Sequence, residues 1–136
     1  MDPVNCSYRL YCRIATVAFA IITIYATTVN LIHHQFARDW FHSVLHLTSG
    51  LLGAYAGWKA TDVVLAKVLT WTIGMLYFAL GTYGWFTPGL FMNSPLAIPL
   101  SAGDNIVHLL LGGPAMAIVA RDLLTTPRSS ATAAHR

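Results

Sequence analysis

Charge is what this sequence has least of. Only 10% of its 136 residues are Asp, Glu, Lys or Arg, eight of them basic and five acidic. A soluble domain carries roughly 25% charged residues to cover its surface. That shortage excludes an ordinary soluble enzyme and a disordered chain. The net charge of +3 reflects few charges of either sign. No basic cluster suited to nucleic acid is present, so a nucleic-acid-binding module is excluded too. Two cysteines, Cys6 and Cys12, are too few for a disulfide framework. No nucleophile constellation, phosphate loop or cofactor fingerprint appears. The length suits one domain.

Hydrophobic residues fill the gap, at 56% of the chain. Charges divide them into four uncharged stretches: Ile14 to Ala37, Trp40 to Trp58, Val68 to Gly103 and Asn105 to Ala120. A helix rises about 1.5 Å per residue, so about 20 residues cross the hydrocarbon core of a membrane. The third stretch is too long for one span and is broken by Pro88-Gly89, Pro95 and Pro99. The fourth reaches span length if its helix begins near Ala102. Ser101-Ala102-Gly103-Asp104 has the spacing of a capping box and supports that start. The expected architecture is all-α, a bundle of four transmembrane helices at roughly 12–34, 39–58, 64–86 and 102–123. Arg9 and Arg13 before an apolar run also fit a secretory leader. The run is long for one and no clear small-x-small site follows it, so the first helix is read as a retained span. Residues 1–124 form the membrane domain; 125–136, small, polar and aperiodic, read as a disordered tail.

Orientation follows from the basic residues. Arg9, Arg13, Lys59, Lys67, Arg121, Arg128 and Arg136 fall on one side, and Arg38 alone on the other. The positive-inside rule makes both termini cytoplasmic and places the first and third loops outside. The Asn5-Cys6-Ser7 sequon then lies on the wrong side for glycosylation. Tyr8, Tyr11, Trp40, Trp58 and Trp85 sit near helix ends, as interfacial aromatics do. Loop three, Thr87 to Ser101, is long and mostly apolar. It is expected in the outer interface, where it can cover the histidine level as a lid.

Polar and ionisable residues inside a span are costly and ask for a partner or a role. Helix two carries His42 and His46, and helix four carries Asp104 and His108; spacing of four puts each pair on one helical face. The two segments align, His42 with Asp104, His46 with His108, Gly50 with Gly112. With the weaker matches of Arg13 to Lys67 and Thr16 to Thr70, this points to two copies of a helical hairpin. Helices two and four run the same way, so His42, His46, Asp104 and His108 share a depth in the outer half of the membrane. Imidazoles and a carboxylate at one level suit a transition metal. His46, His108 and Asp104 are the core ligands of that reading and His42 an optional fourth. Asn105 and Asn30, an amide near the end of its span, are the supporting residues. Alternatively His46 and His108 are the axial ligands of a haem, with Gly50 and Gly112 making room for the macrocycle. A proton or ion relay is a further alternative. The plain structural reading has Asp39 and Asp104 capping their helices, the histidines bonding to each other or to hydroxyls, and Gly50, Gly53 and Gly57 permitting close helix packing. His33 and His34 end helix one and are expected in solvent.

A short four-helix chain, His46-x-x-x-Gly50, the Gly84 to Gly89 ending of helix three (Gly-Trp-Phe-Thr-Pro-Gly) and Asp104-Asn105-x-x-His108-x-x-x-Gly112 occur together here. In these features the chain resembles a bacterial membrane-protein family, domain of unknown function family 4383, over residues 12 to 123. The resemblance implies a four-helix protein of the bacterial plasma membrane and implies no activity; His42 is not part of the shared pattern. The leading functional reading is a small non-enzymatic membrane protein, structural or an accessory subunit of a larger assembly. Its partners are the lipid bilayer and other membrane proteins or further copies of itself. The rivals are a metal- or haem-binding protein using helices two and four, and the relay.

Overall fold

The computed structural model describes residues 3–33, 36–94 and 96–125, with the backbone alone for 36–39. The chain is helical, as expected. Helix α1 runs Pro3–Ile32, and α2 runs Phe36–Ala54 and continues into a π-helical turn, Tyr55–Lys59. Helix α3 is Val64–Tyr83 and α4 is Ala102–Thr125. A small antiparallel hairpin, β1 (Gly89–Leu90) and β2 (Ile98–Pro99), separates α3 from α4. The expected tail beyond Thr125 lies outside the described residues, as do His34 and the side chain of Asp39.

Helix α1 packs chiefly on α2, and α3 on α4. Glycines permit both approaches. A Cβ on Gly53 would meet Thr16 Oγ1 at 2.8 Å, and one on Gly57 would meet Arg13 Cγ at 2.8 Å. In the second pair, a Cβ on Gly81 would meet the backbone nitrogen of Leu109 at 2.9 Å. Small residues let backbones approach where the solvent offers no hydrophobic drive to associate. Thr16 Oγ1 uses that proximity to donate to Cys12 O at 2.8 Å and Gly50 O at 3.2 Å, so the hydroxyl bonds both its own helix and α2.

Helix α1 starts at Pro3 rather than near residue 12, because its first turns are core. Val4, Tyr8 and Cys12 pack with Ala56, Ala66, Leu69 and Val119. Proline suits the first helical position, where its missing N–H leaves no bond unmade. Tyr8 and Tyr11, expected at the interface, are therefore buried. Tyr8 Oη donates to Asp122 Oδ2 at 2.9 Å, and Lys67 Nζ reaches the same oxygen at 3.2 Å. Tyr11 Oη donates to Leu111 O at 2.9 Å. Trp40, Trp58 and Trp85 do lie exposed. The turn between α2 and α3 is tied down by Arg9, whose guanidinium donates to the carbonyls of Ala60, Thr61 and Asp62. Arg13 Nε donates to Gly57 O at 2.7 Å inside the π-helical turn.

Helices α1, α3 and α4 are long and apolar enough to cross a membrane, with mean hydropathy of 1.8, 1.6 and 1.5 over their best windows. Helix α2 does not reach that level. Arg38 and Asp39 lower it, together with His42, Ser43, His46, Thr48 and Ser49, and His42, Ser43 and His46 belong to the site.

Candidate metal centre

The site forms where α1 ends and α2 and α4 begin. His42 and His46 lie one turn apart on α2, so the helix itself brings their rings together, with centroids 4.3 Å apart and planes tilted by 59°. His108 faces them from the second turn of α4, its ring 6.0 Å from His42 and 6.4 Å from His46. One ring nitrogen from each of the three lies within 4.8 Å of the others. All three are buried, at 6%, 4% and 1% exposure. An aromatic floor closes the cluster from below. Phe19 of α1 packs 5.7 Å from His46, and Tyr77 of α3 meets His108 edge-on at 4.9 Å.

A cavity of about 430 Å³ adjoins the three imidazoles. Helix α1 gives it an apolar wall that includes Ile22, Ala26 and Val29, and α4 adds Val107. Asn30 and Ser43 also line it. Ser43 Oγ and His108 Nδ1 are buried without a hydrogen-bond partner among the described residues. A buried polar atom left unmatched costs about 1–3 kcal/mol, so two such atoms on residues that share one cavity lining are uncommon in a packed interior.

The structure redistributes the expected ligands. Asp104 lines the cavity but stands outside the cluster. Ser101 N–H and Oγ–H donate to Asp104 Oδ2 at 2.9 and 2.6 Å, and Asp104 N–H donates back to Ser101 Oγ at 3.3 Å. This is the capping box read from the sequence, and it engages the carboxylate that the metal reading made a core ligand. His42, expected as optional, is an equal member of the triad. Asn105 does not support the histidines: it packs against Gly84, where a Cβ would overlap its side-chain amide. Asn30 is buried in the cavity wall, as expected of an inward-facing amide.

The room expected for a macrocycle is filled. Gly50 faces Phe19 Cβ, and Gly112 lies against the backbone of Tyr77 and Phe78. Loop three, expected as a lid, contributes its last residue, Ser101, to the cavity lining. It folds back on its own base, with Leu100 N–H donating to Pro88 O at 2.9 Å, and β2 packs on α2. His33 is an exposed turn residue. Ser43, Phe19 and Tyr77 escaped the sequence reading. Ser43 stands between the two helix-two histidines, where a serine is unremarkable. Phe19 and Tyr77 sit in apolar spans that give no cue to which ring meets a histidine.

Three imidazoles with nitrogens this close match, when unprotonated, the donor set of zinc, copper, iron or nickel. With three protein ligands a tetrahedral ion keeps one position open. Comparison with family models, with curated proteins and with solved structures returned no match to this chain.

Proposed function

We propose that this chain is a four-span protein of a bacterial plasma membrane, both termini cytoplasmic, that binds one divalent transition-metal ion through His42, His46 and His108. The observation that supports this reading is the convergence of three buried ring nitrogens within 4.8 Å. Packing alone has no need of three polar rings at one point in an apolar helix bundle. A single hydrogen bond between two of them would meet the structural requirement. Zinc is the reference ion, since it accepts an all-imidazole set with Zn–N distances of about 2.0–2.1 Å. The role is non-enzymatic: a metal-holding accessory protein of the membrane. The resemblance to domain of unknown function family 4383 rests on its motif residues, two of which, His46 and His108, are ligands here.

The test is metal uptake by the purified full-length protein. After chelation and dialysis against zinc, elemental analysis should find about one ion per chain, with a raised melting temperature because the ion binds the folded state. His108→Ala should lose both effects. Acidification should weaken binding, since a proton competes for each ligating nitrogen. A parent protein that retains no zinc, copper, nickel or iron and melts unchanged overturns the proposal.

A further inference from the structure

Away from the histidine centre, one cation on the outer surface of α1 is held in a fixed place. Arg13 is exposed, yet its guanidinium is pinned twice. Nε donates to Gly57 O at 2.7 Å, and the group lies over the Trp58 ring, 5.6 Å from its centroid. Gly57 permits this approach, since a Cβ there would meet Arg13 Cγ at 2.8 Å. The ring covers one face of the guanidinium and the carbonyl takes its Nε side. Its terminal amino groups make no hydrogen bond or ion pair among the described residues. The described acids of this end are engaged elsewhere: Asp62 Oδ1 accepts from Val64 N–H at 2.9 Å, and Asp122 Oδ2 pairs with Lys67 at 3.2 Å.

An apolar groove of about 440 Å³ starts at the same residue. Ile14, Val17, Ala18 and Ile21 line it along α1, and Trp58 closes its side. Spacing of three and four puts these α1 residues on one face, with the small Ala18 between larger neighbours. The rise from Arg13 to Ile21 is about 12 Å, most of the roughly 15 Å that one leaflet contributes to the hydrocarbon core. Helical side chains lean towards the N-terminus, so the guanidinium leaves the groove at the end nearest the turn of residues 60–62. A fixed cation with an apolar trough of leaflet length beyond it has the shape of a phospholipid, phosphate first and then acyl chain. Guanidinium matches phosphate oxygens in geometry and in charge. Arg9 and Lys59 add positive charge at the same end, which favours a headgroup of net negative charge over a zwitterionic one. We propose, on the four-span reading and independently of the metal site, that Arg13 and this groove hold an anionic phospholipid of the cytoplasmic leaflet. Its phosphodiester accepts from the terminal N–H groups of Arg13, and one acyl chain lies along Ile14, Val17 and Ile21.

Trp58 is the reporter, because bromine on an acyl chain quenches indole fluorescence on contact. The full-length protein is reconstituted into phosphatidylcholine vesicles that carry a minor fraction of bromine-labelled lipid. The Trp58 signal is the difference between the parent and Trp58→Phe. Brominated phosphatidylglycerol should quench it about fivefold more effectively than brominated phosphatidylcholine at the same fraction, the preference that one basic residue gives at a lipid surface. Unlabelled phosphatidylglycerol should reverse the quenching, and soluble glycerophosphate should not. Arg13→Gln should remove the preference, and Arg13→Lys, which keeps the charge without the planar fork, should retain part of it. Val17→Phe, at an exposed position, should narrow the groove and lower the preference with Arg13 in place. Arg121→Gln removes a cation from the same end and should change nothing. Equal quenching by the two lipids, or a preference that survives Arg13→Gln, overturns the proposal. So does a preference that Arg121→Gln lowers as much as Arg13→Gln, which is diffuse surface charge. Displacement by glycerophosphate overturns it too, since a phosphate site would then need no groove. A protein that does not float with the vesicles removes the membrane reading and this lipid together.

Discussion

Asp104 and His42 each stand four residues before a histidine of the cluster, yet their side chains meet different partners. Asp104 is fixed by two hydrogen bonds from Ser101, while the His42 ring lies 4.3 Å from that of His46. The two substitutions should therefore separate stability from binding. Asp104→Ala removes the cap and should cost about 1 kcal/mol, measured by thermal or denaturant unfolding of the metal-free protein, with zinc stoichiometry unchanged. His42→Ala should abolish tight zinc binding, measured by elemental analysis. If Asp104→Ala loses the ion while His42→Ala keeps it, the ligand set is the one spacing alone suggests. Spacing of four fixes a shared face and a depth, and on that basis His46 and His108 were legible as partners. It does not say which way a first-turn carboxylate turns. The free N–H groups at a helix start are the nearest donors and compete for it. Asn105 was misplaced for a similar reason: it neighbours Asp104 in sequence, but one residue further along a helix is a rotation of about 100°, which turns it towards α3.

Helix α4 contains a built-in comparison in Gly112-Gly113. A Cβ on Gly112 would overlap the backbone of Phe78, whereas one on Gly113 would meet nothing within 4 Å. Gly112→Ala should therefore push α3 and α4 apart and destabilise by about 1–3 kcal/mol. Gly113→Ala should be neutral or stabilising by up to about 1 kcal/mol, since alanine is the better helix former. Equal unfolding midpoints for the two variants would refute the tight α3–α4 contact. In the α1–α2 pair Gly50 is less tightly placed, a Cβ there meeting the Phe19 Cβ at 3.2 Å. The helices themselves were readable from uncharged runs bounded by charge and proline, and α4 from its capping box. The start of α1 was not. Tyr8 and Arg9 look like an interfacial flank until Asp122 and the carbonyls of residues 60–62 arrive from far along the chain. Pro114 lies inside α4, which stays continuous through it, and Tyr11 bonds the Leu111 carbonyl one turn before.

Across the whole molecule the two polar networks sit at opposite ends. The rise along α1 from Tyr8 to Asn30 is about 33 Å, close to the thickness of a bilayer's hydrocarbon core. Tyr8, Lys67 and Asp122 gather at one end, and the histidine centre at the other. Between them the outward surface is aliphatic and aromatic: Ile14, Val17, Ile21 and Ile24 on α1, Val68, Met75 and Leu76 on α3 and Leu110 on α4 are all exposed. Lipid is the solvent that such a surface matches. The basic residues then decide direction. Arg9, Arg13, Lys59, Lys67 and Arg121 share the Tyr8 end, so that end should face the cytoplasm and the histidine centre the outside. The chain's own thiols make this testable. Cys6 is exposed and Cys12 is buried, so one residue reports the side. A membrane-impermeant maleimide should leave the parent unlabelled in intact cells and label it once after lysis. Asn93→Cys, on the exposed turn between β1 and β2, should react from outside before lysis. Labelling of Cys6 in intact cells would invert the protein and turn the histidine centre towards the cytoplasm.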